Sequence, residues 1–120
     1  MQLTMLKSKL HRGRVTACDI NYEGSIEIDE NLMDASGICA YEQVHVYDIN
    51  NGNRFITYAI PGKRGGGAIM VNGAAARLAQ INDRIIIVAY GIMNIKEQKK
   101  FKPQIVLLDE NNGILRKKRT

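Results

Sequence analysis

Val44–Ile60, with the sequence VHVYDINNGNRFITYAI, contains two strand-like runs joined by an Asn-Gly turn signal. The first run, Val44–Ile49, alternates β-branched or aromatic residues with polar ones, as a half-buried strand does. The turn signal lies in Asn50–Asn53, and Arg54–Ile60 supplies a second strand. This stretch therefore predicts a β-hairpin and points to a β-rich fold.

The segments on either side of the hairpin also have strand character. Ser25–Asp29 alternates polar and apolar residues, and Met5–Val15 is mixed, consistent with one long strand or two short ones. The remaining strand candidates are apolar runs, and they are Ile69–Val71, Ile85–Tyr90 and Gln104–Asp109. Many short strands favour a small β-barrel, and this pattern leaves the type of barrel open.

Two short helices are predicted between the strands. Glu30–Ala35 follows Asp29, a good N-cap residue, and stops before Gly37. Ala74–Leu78 follows an Asn-Gly pair, and the Asn72 side chain is expected to cap its first turn. Few helices among many strands predict a mainly β fold.

The composition is that of an ordinary globular chain, with 45% hydrophobic and 24% charged residues. Its length fits a single domain over residues 1–120. The longest apolar run, Ile85–Tyr90, is too short to cross a bilayer, and Met1–Leu10 lacks the apolar segment of a signal peptide. The cysteines and histidines form no recognisable metal motif. We therefore expect a cytoplasmic protein with no metal and no membrane partner.

Residues 110–120 form a basic C-terminal tail in a chain whose formal net charge is +5. Arg116–Arg119 supplies four of the positive charges, which could contact nucleic acid or anionic membranes, or simply form a solvated, frayed terminus. With five tyrosines, two phenylalanines and no tryptophan, little aromatic surface is available for stacking on single strands. The frayed terminus is favoured. A basic β-barrel that binds RNA without catalysis, or a purely structural barrel, remains an alternative function.

Tyr22-Glu23-Gly24-Ser25 is the one tetrapeptide that suggests chemistry. At a strained Gly-Ser bond the serine hydroxyl attacks the preceding carbonyl carbon and moves the acyl group from nitrogen to oxygen. Glycine suits this step because it tolerates strained dihedral angles and leaves the carbonyl open. β-Elimination of the ester gives dehydroalanine, and hydrolysis then yields a pyruvoyl group and ammonia. Taken alone, however, the dipeptide is more often an ordinary turn.

Four stretches of the chain, in their order, resemble the pyruvoyl-dependent aspartate 1-decarboxylase family. They are Lys9–His11, Tyr22–Ser25, Arg54–Ile60 and Val71–Ala76. Each is weak alone, but the ordered set is specific, and the resemblance extends from about residue 5 to about residue 108. It implies a double-psi β-barrel, a homotetramer with sites between subunits, and conversion of L-aspartate to β-alanine and CO2 for pantothenate and coenzyme A synthesis.

The resemblance also implies self-cleavage between Gly24 and Ser25, into residues 1–24 and 25–120. Ser25 would become a covalent pyruvoyl group that forms a Schiff base with the substrate amine. Tyr58 is the implied proton donor, and Thr57 is implied in both self-cleavage and substrate contact. Because these neighbours face opposite sides of an ideal strand, the strand would have to bend or Thr57 would act through its backbone. Whether a maturation factor is needed stays open.

Aspartate carries two carboxylates, so its site needs fixed cations. Arg54 offers a bidentate fork and Lys9 a point charge, and which of them holds which carboxylate stays open. The other implied residues are Gly73, Ala74 and Ala75 as a backbone docking site for substrate, and His11, Tyr22 and Asn72 as supporting polar residues.

Overall fold

A computed structural model describes the backbone of residues 1–119 and the side chains of residues 1–118. It is mainly β, with short helices, as predicted. The strands are β1 Gln2–Arg14, β2 Ala17–Asp19, β3 Ser25–Asp29, β4 Gln43–Asp48, β5 Arg54–Gly62, β6 Ile69–Asn72, β7 Arg84–Asn94, β8 Gln104–Leu108 and β9 Ile114–Arg119. The helical elements are α1 Glu30–Ser36, a 3-10 helix at Gly73–Arg77 and α2 Ile95–Lys100.

The strands form one mixed sheet in the order β2-β6-β3-β5-β4-β7-β1-β8-β9. The pairs β1–β8, β2–β6 and β3–β5 are parallel, and the other pairs are antiparallel. This arrangement is compatible with a small barrel-like fold. The double-psi topology remains an expectation drawn from the resemblance.

The predicted hairpin is confirmed as β4 and β5, which pair in regular antiparallel register from Gln43–Tyr58 to Tyr47–Arg54. Gly52 has a φ of +77°, a left-handed conformation that glycine adopts without strain. Its N–H donates to the Asp48 carbonyl at 2.9 Å, which closes the turn. Val44 and Val46 are fully buried on the inner face of β4, so the opposite face carries the polar members of the alternation.

Helix α1 is confirmed, with one residue more than predicted. Asp29 caps it by accepting from the Asn31 N–H at 2.8 Å. Gly37 ends it in the left-handed conformation, and its N–H donates to the Met33 carbonyl at 2.8 Å.

The second predicted helix is a 3-10 helix, and the predicted cap on it was wrong. Asn72 makes no side-chain capping hydrogen bond, because its amide is directed instead to Ser25 on the neighbouring strand. Helix α2 was not predicted, although Asn94 and Glu97 form a complete capping box at its start.

The expectation of a frayed basic terminus was also wrong. Residues 114–119 form β9, which pairs antiparallel with β8, for example Arg116 with Leu107. The Lys117 and Lys118 side chains are exposed, but their backbone belongs to the sheet. Deleting the chain from Arg116 onward would therefore uncover the edge of β8, rather than remove a solvated tail.

The core consists of aliphatic side chains from the inner faces of the strands, and its fully buried members include Leu10, Val15, Ile26, Ile28, Val44, Val46, Ile69, Val71, Ile85, Ile87 and Val106. Among the residues that the structure describes, no helix is long and apolar enough to cross a membrane.

Two buried carboxyl groups, those of Asp48 and Asp83, lie beside the hairpin turn. Asp48 is 3% exposed, and its Oδ1 accepts from the Asn50 N–H at 2.9 Å, while its Oδ2 has no partner among the described donors. Burial, followed by the neighbouring carboxyl group of Asp83, raises the pKa of Asp48 from 3.8 to about 6. Since the folded pKa exceeds the unfolded one, Asp48 destabilises the fold as the pH rises from about 4 to about 6.

Asp48→Asn should therefore stabilise the protein at pH 8 and much less at pH 4, since aspartic acid and asparagine carry no charge there. The gain at pH 8 should be on the order of 1–3 kcal/mol, measured from thermal unfolding at both pH values. Glu110→Gln, at an exposed position, is the matched control and should show no such gap. A gain of equal size at both pH values would contradict this role of Asp48.

Candidate active site

Ser25 starts β3 and is held by two hydrogen bonds. It is 2% exposed, and its Oγ donates to the Glu23 carbonyl at 3.2 Å. The Asn72 Nδ2 donates to the same Oγ at 3.2 Å, because Ser25 and Asn72 are paired residues of β3 and β6. Asn72 is fully buried, and its Oδ1 has no hydrogen-bond partner among the described residues. The serine hydroxyl is thus buried, oriented and next to an unsatisfied polar atom.

Gly73 packs directly against the backbone that precedes Ser25. A Cβ atom at residue 73 would lie 2.6 Å from the Gly24 Cα, 2.9 Å from the Gly24 nitrogen and 3.3 Å from the Tyr22 carbonyl oxygen. Its φ of +73° also favours glycine. A Cβ atom at Gly24 would meet no other atom within 4 Å, and Gly24 is absent from the residues with positive φ, so the left-handed conformation is at Gly73 and not at Gly24.

Tyr58 is brought close to Ser25 by the parallel pairing of β3 with β5. Ile26 pairs with Ala59, and both side chains are fully buried. Ser25 and Tyr58 each lie one position before this pair, so their side chains lie on the face of the sheet opposite to Ile26 and Ala59. Tyr58 is 36% exposed. The register therefore places a hydroxyl and a phenol on the same face of neighbouring strands.

Thr57 faces the other way. It is half-buried opposite the core residue Val44, on the face that also carries Phe55 and Ala59. The β4–β5 register has no irregularity between Arg54 and Tyr58, so β5 does not bulge there. The structure therefore does not supply the bend that would turn the Thr57 and Tyr58 side chains to one site.

The two predicted cations lie on the same outer sheet face but far from Ser25. One row of paired residues across β1, β7, β4 and β5 consists of Lys9, Val88, His45 and Ile56, and the adjacent row consists of His11, Ile86, Tyr47 and Arg54. Lys9 and Arg54 are thus three strand spacings apart across the sheet, roughly 14 Å, and a further two residues apart along the strands, roughly 7 Å. Arg54 lies four residues from Tyr58, or about 13 Å along β5. One chain alone does not bring these charges to Ser25.

The supporting residues are also spread out. His11 is half-buried, and its Nδ1 is buried without a hydrogen-bond partner among the described residues. Burial is the main cause that lowers the pKa of His11, and the positive charges of Lys9 and Arg12 lower it further, so its ring is neutral at pH 7. Tyr22 is 52% exposed in the loop before Ser25. Ala74 is exposed and Ala75 half-buried at the start of the 3-10 helix.

An aromatic cluster around Arg54 was not predicted. It consists of His45, Tyr47 and Tyr90, which share the outer face with Arg54. The alternation of Val44–Ile49 already placed His45 and Tyr47 on one face, but their contact with Tyr90 depends on pairing with β7. No group of three or more histidine, cysteine or acidic residues in the described part of the chain could hold a metal ion.

Comparison with known proteins identifies the family. The aspartate decarboxylase family model matches residues 1–115. The chain is 56% identical over 116 residues to the aspartate 1-decarboxylase of Carboxydothermus hydrogenoformans, covering 97% of this chain and 91% of the relative. It is 55% identical to the enzymes of that name from Thermoanaerobacter pseudethanolicus, covering 93% of this chain and 96% of the relative, and from Maricaulis maris, covering 98% and 97%. The chain belongs to the aspartate decarboxylase family.

Proposed function

We propose that this protein converts L-aspartate to β-alanine and CO2, for pantothenate and coenzyme A synthesis, after cleaving itself between Gly24 and Ser25. Family membership over nearly the whole chain is the observation that supports this reaction. The buried, doubly hydrogen-bonded hydroxyl of Ser25, directly after an exposed Gly24, supports the self-cleavage. The protein is thus an enzyme with residues 25–120 as its catalytic chain.

Self-cleavage begins with attack of the Ser25 Oγ on the Gly24 carbonyl carbon. The hydroxyl proton already points to the Glu23 carbonyl, and the Asn72 amide holds the oxygen in place. The bond between the Gly24 carbonyl carbon and the Ser25 nitrogen breaks as the ester forms, and the hydroxyl proton passes to that nitrogen. Loss of the Ser25 Cα proton then breaks the Ser25 Cβ–Oγ bond by elimination, which frees a carboxylate on Gly24. Water adds to the remaining dehydroalanine and ammonia leaves. In this proposal Thr57 assists the first step through its backbone, since its side chain faces the core.

The surroundings of residue 25 fit a covalent pyruvoyl group. Asn72 is buried and has one unsatisfied oxygen beside Ser25, and Gly73 packs closely against Gly24. The group supplies a carbonyl that accepts the electrons released by decarboxylation. Gly73 is buried against Gly24, while Ala74 is exposed and Ala75 half-buried, so this segment lies next to the cleavage point and can dock the substrate against residue 25.

Tyr58 supplies the proton that replaces the departing carboxylate. Its phenol lies on the face that Ser25 uses and is partly exposed, so a bound substrate can reach it. A phenol positioned in this way acts as a general acid.

The separation of Lys9 and Arg54 from Ser25 requires a second copy of the chain. We expect a homotetramer in which the outer sheet face of one subunit presents its cations to residue 25 of a neighbour. Exposed apolar side chains on that face, such as Ile56 at 57% and Ile92 at 74%, suit burial between subunits. Lys9, His11 and Tyr22 then complete the polar walls of the site.

Arg54→Ala should lower kcat/KM for aspartate by about ten- to 150-fold, because a charge-assisted bidentate contact is lost. Arg54→Lys should recover only part of this, since an ammonium group cannot grip both oxygens. Steady-state kinetics on processed protein measure both. Arg64→Ala is the matched control, because Arg64 binds Glu30 and Asp34 beside α1 and not the sheet face. An Arg54→Ala enzyme with unchanged kcat/KM would remove Arg54 from the site.

The reaction itself is tested by incubating purified, processed protein with aspartate labelled with carbon-13 at C1 and following the products by NMR. The proposal predicts labelled CO2 and unlabelled β-alanine in equal amounts. Processed, folded protein that forms neither product would contradict it.

A further inference from the structure

Arg54 lies at one end of a series of aromatic contacts on the outer face of β4, β5 and β7. Its Cζ atom is 4.2 Å from the centre of the Tyr47 ring, a cation–π distance. The Tyr47 and Tyr90 hydroxyl oxygens are 2.8 Å apart, and either can donate. His45 packs between them, with ring centres 6.3 Å from Tyr47 and 5.0 Å from Tyr90. The contacts therefore connect β7, through β4, to the guanidinium group on β5.

The contact between Tyr47 and Arg54 follows from strand register. The two residues are directly paired across β4 and β5, so their side chains leave the same face as neighbours. Tyr90 fixes the far end of the Tyr47 ring. The hydrogen bond with Tyr47 is the main cause that raises the pKa of Tyr90, so the Tyr90 phenol keeps its proton at physiological pH.

Arg54 keeps its N–H groups open for a ligand. It is exposed and forms no ion pair within the described part of the chain. An aromatic face orients a guanidinium group without using its N–H donors, whereas a carboxylate partner would occupy the fork. The aromatic contact thus restricts Arg54 and leaves both donors of its fork free.

We propose that Tyr47 and Tyr90 are positioning residues that hold the Arg54 guanidinium ready for a substrate carboxylate. This inference rests on the proposed role of Arg54 in binding aspartate. In this proposal neither tyrosine contacts the reacting carbon of the substrate, and both act by holding Arg54. Because the cation is restricted before the substrate arrives, less side-chain freedom is lost on binding, and the effect falls on KM rather than on kcat.

Tyr47→Leu should raise KM for aspartate about two- to fivefold and leave kcat within about twofold, the change expected for one exposed cation–π contact. Tyr47→Phe keeps an aromatic face and should recover most of the loss. Tyr90→Phe should show a smaller rise in KM, since the Tyr47 ring stays in place. Phe101→Leu, at the end of α2, is the matched aromatic control and should change neither constant. All variants are measured as processed, full-length protein whose assembly is checked by native mass spectrometry.

The double variant that combines Tyr47→Leu with Arg54→Ala tests whether Tyr47 acts through Arg54. If it does, Tyr47→Leu adds no further rise in KM to Arg54→Ala. An additive rise, a wild-type KM in Tyr47→Leu, or lost assembly that Tyr47→Phe does not restore would overturn the positioning role, while aspartate decarboxylation itself would stand. A wild-type KM in Arg54→Ala would instead overturn the substrate role of Arg54, and the positioning role of the tyrosines with it.

Discussion

Ser25→Ala should abolish both self-cleavage and decarboxylation, because alanine has no hydroxyl to attack the Gly24 carbonyl and no oxygen to eliminate. The purified variant should remain one chain of 120 residues, and it should form no β-alanine above the uncatalysed background. The fold should persist, because the Ser25 side chain is not part of the hydrophobic core and its removal costs only two hydrogen bonds. Denaturing gel electrophoresis and circular dichroism check these points.

Ser8→Ala is the matched control for this variant. Ser8 is also a buried strand serine, and its hydroxyl has no hydrogen-bond partner among the described residues. The Ser8 variant should cleave and turn over as the wild type does. Cleavage of Ser25→Ala at the same bond would contradict the proposed chemistry, since no serine oxygen could then carry it.

Tyr58→Phe should cleave normally but turn over aspartate about a hundred- to ten-thousandfold more slowly. The reason is that self-cleavage uses the Ser25 hydroxyl, whereas product formation needs a proton on carbon, and phenylalanine has none to give. Single-turnover kinetics on processed protein separate this step from substrate binding.

Tyr41→Phe controls for the loss of a phenol near the same place. The Tyr41 ring lies 6.4 Å from that of Tyr58 and is 76% exposed, with no hydroxyl role assigned to it. Its turnover should match that of the wild type. A wild-type rate in processed Tyr58→Phe would assign the proton to water instead.

Local signals in the sequence predicted the local parts of the fold. The hairpin around Gly52 and the caps of α1 at Asp29 and Gly37 depend on residues a few positions apart, so their patterns were sufficient. Strand β9 was missed because four consecutive basic residues look like a solvated end, and only pairing with β8 orders them. Asn72 was expected to cap a helix, but its partner Ser25 is 47 residues away in sequence.

The site shows the same division between local and distant information. Ser25 and Tyr58 were chosen from motifs, yet their proximity depends on the parallel register of β3 and β5, which no short motif encodes. The separation of Lys9 and Arg54 from Ser25 follows from strand order, and it is the reason why we propose that a second subunit supplies these cations. Family membership favours the enzyme over an RNA-binding barrel, since charge and strand number alone did not separate them.

The central claim is that residue 25 is the site of self-cleavage and the source of the reactive carbonyl. Intact mass spectrometry of purified protein that forms β-alanine tests it most directly. We predict two chains, residues 1–24 and residues 25–120, the second carrying the mass of a pyruvoyl group and no free amine at its start. An active sample that contains only the uncleaved 120-residue chain, or a second chain that begins with an unmodified serine, would contradict the claim.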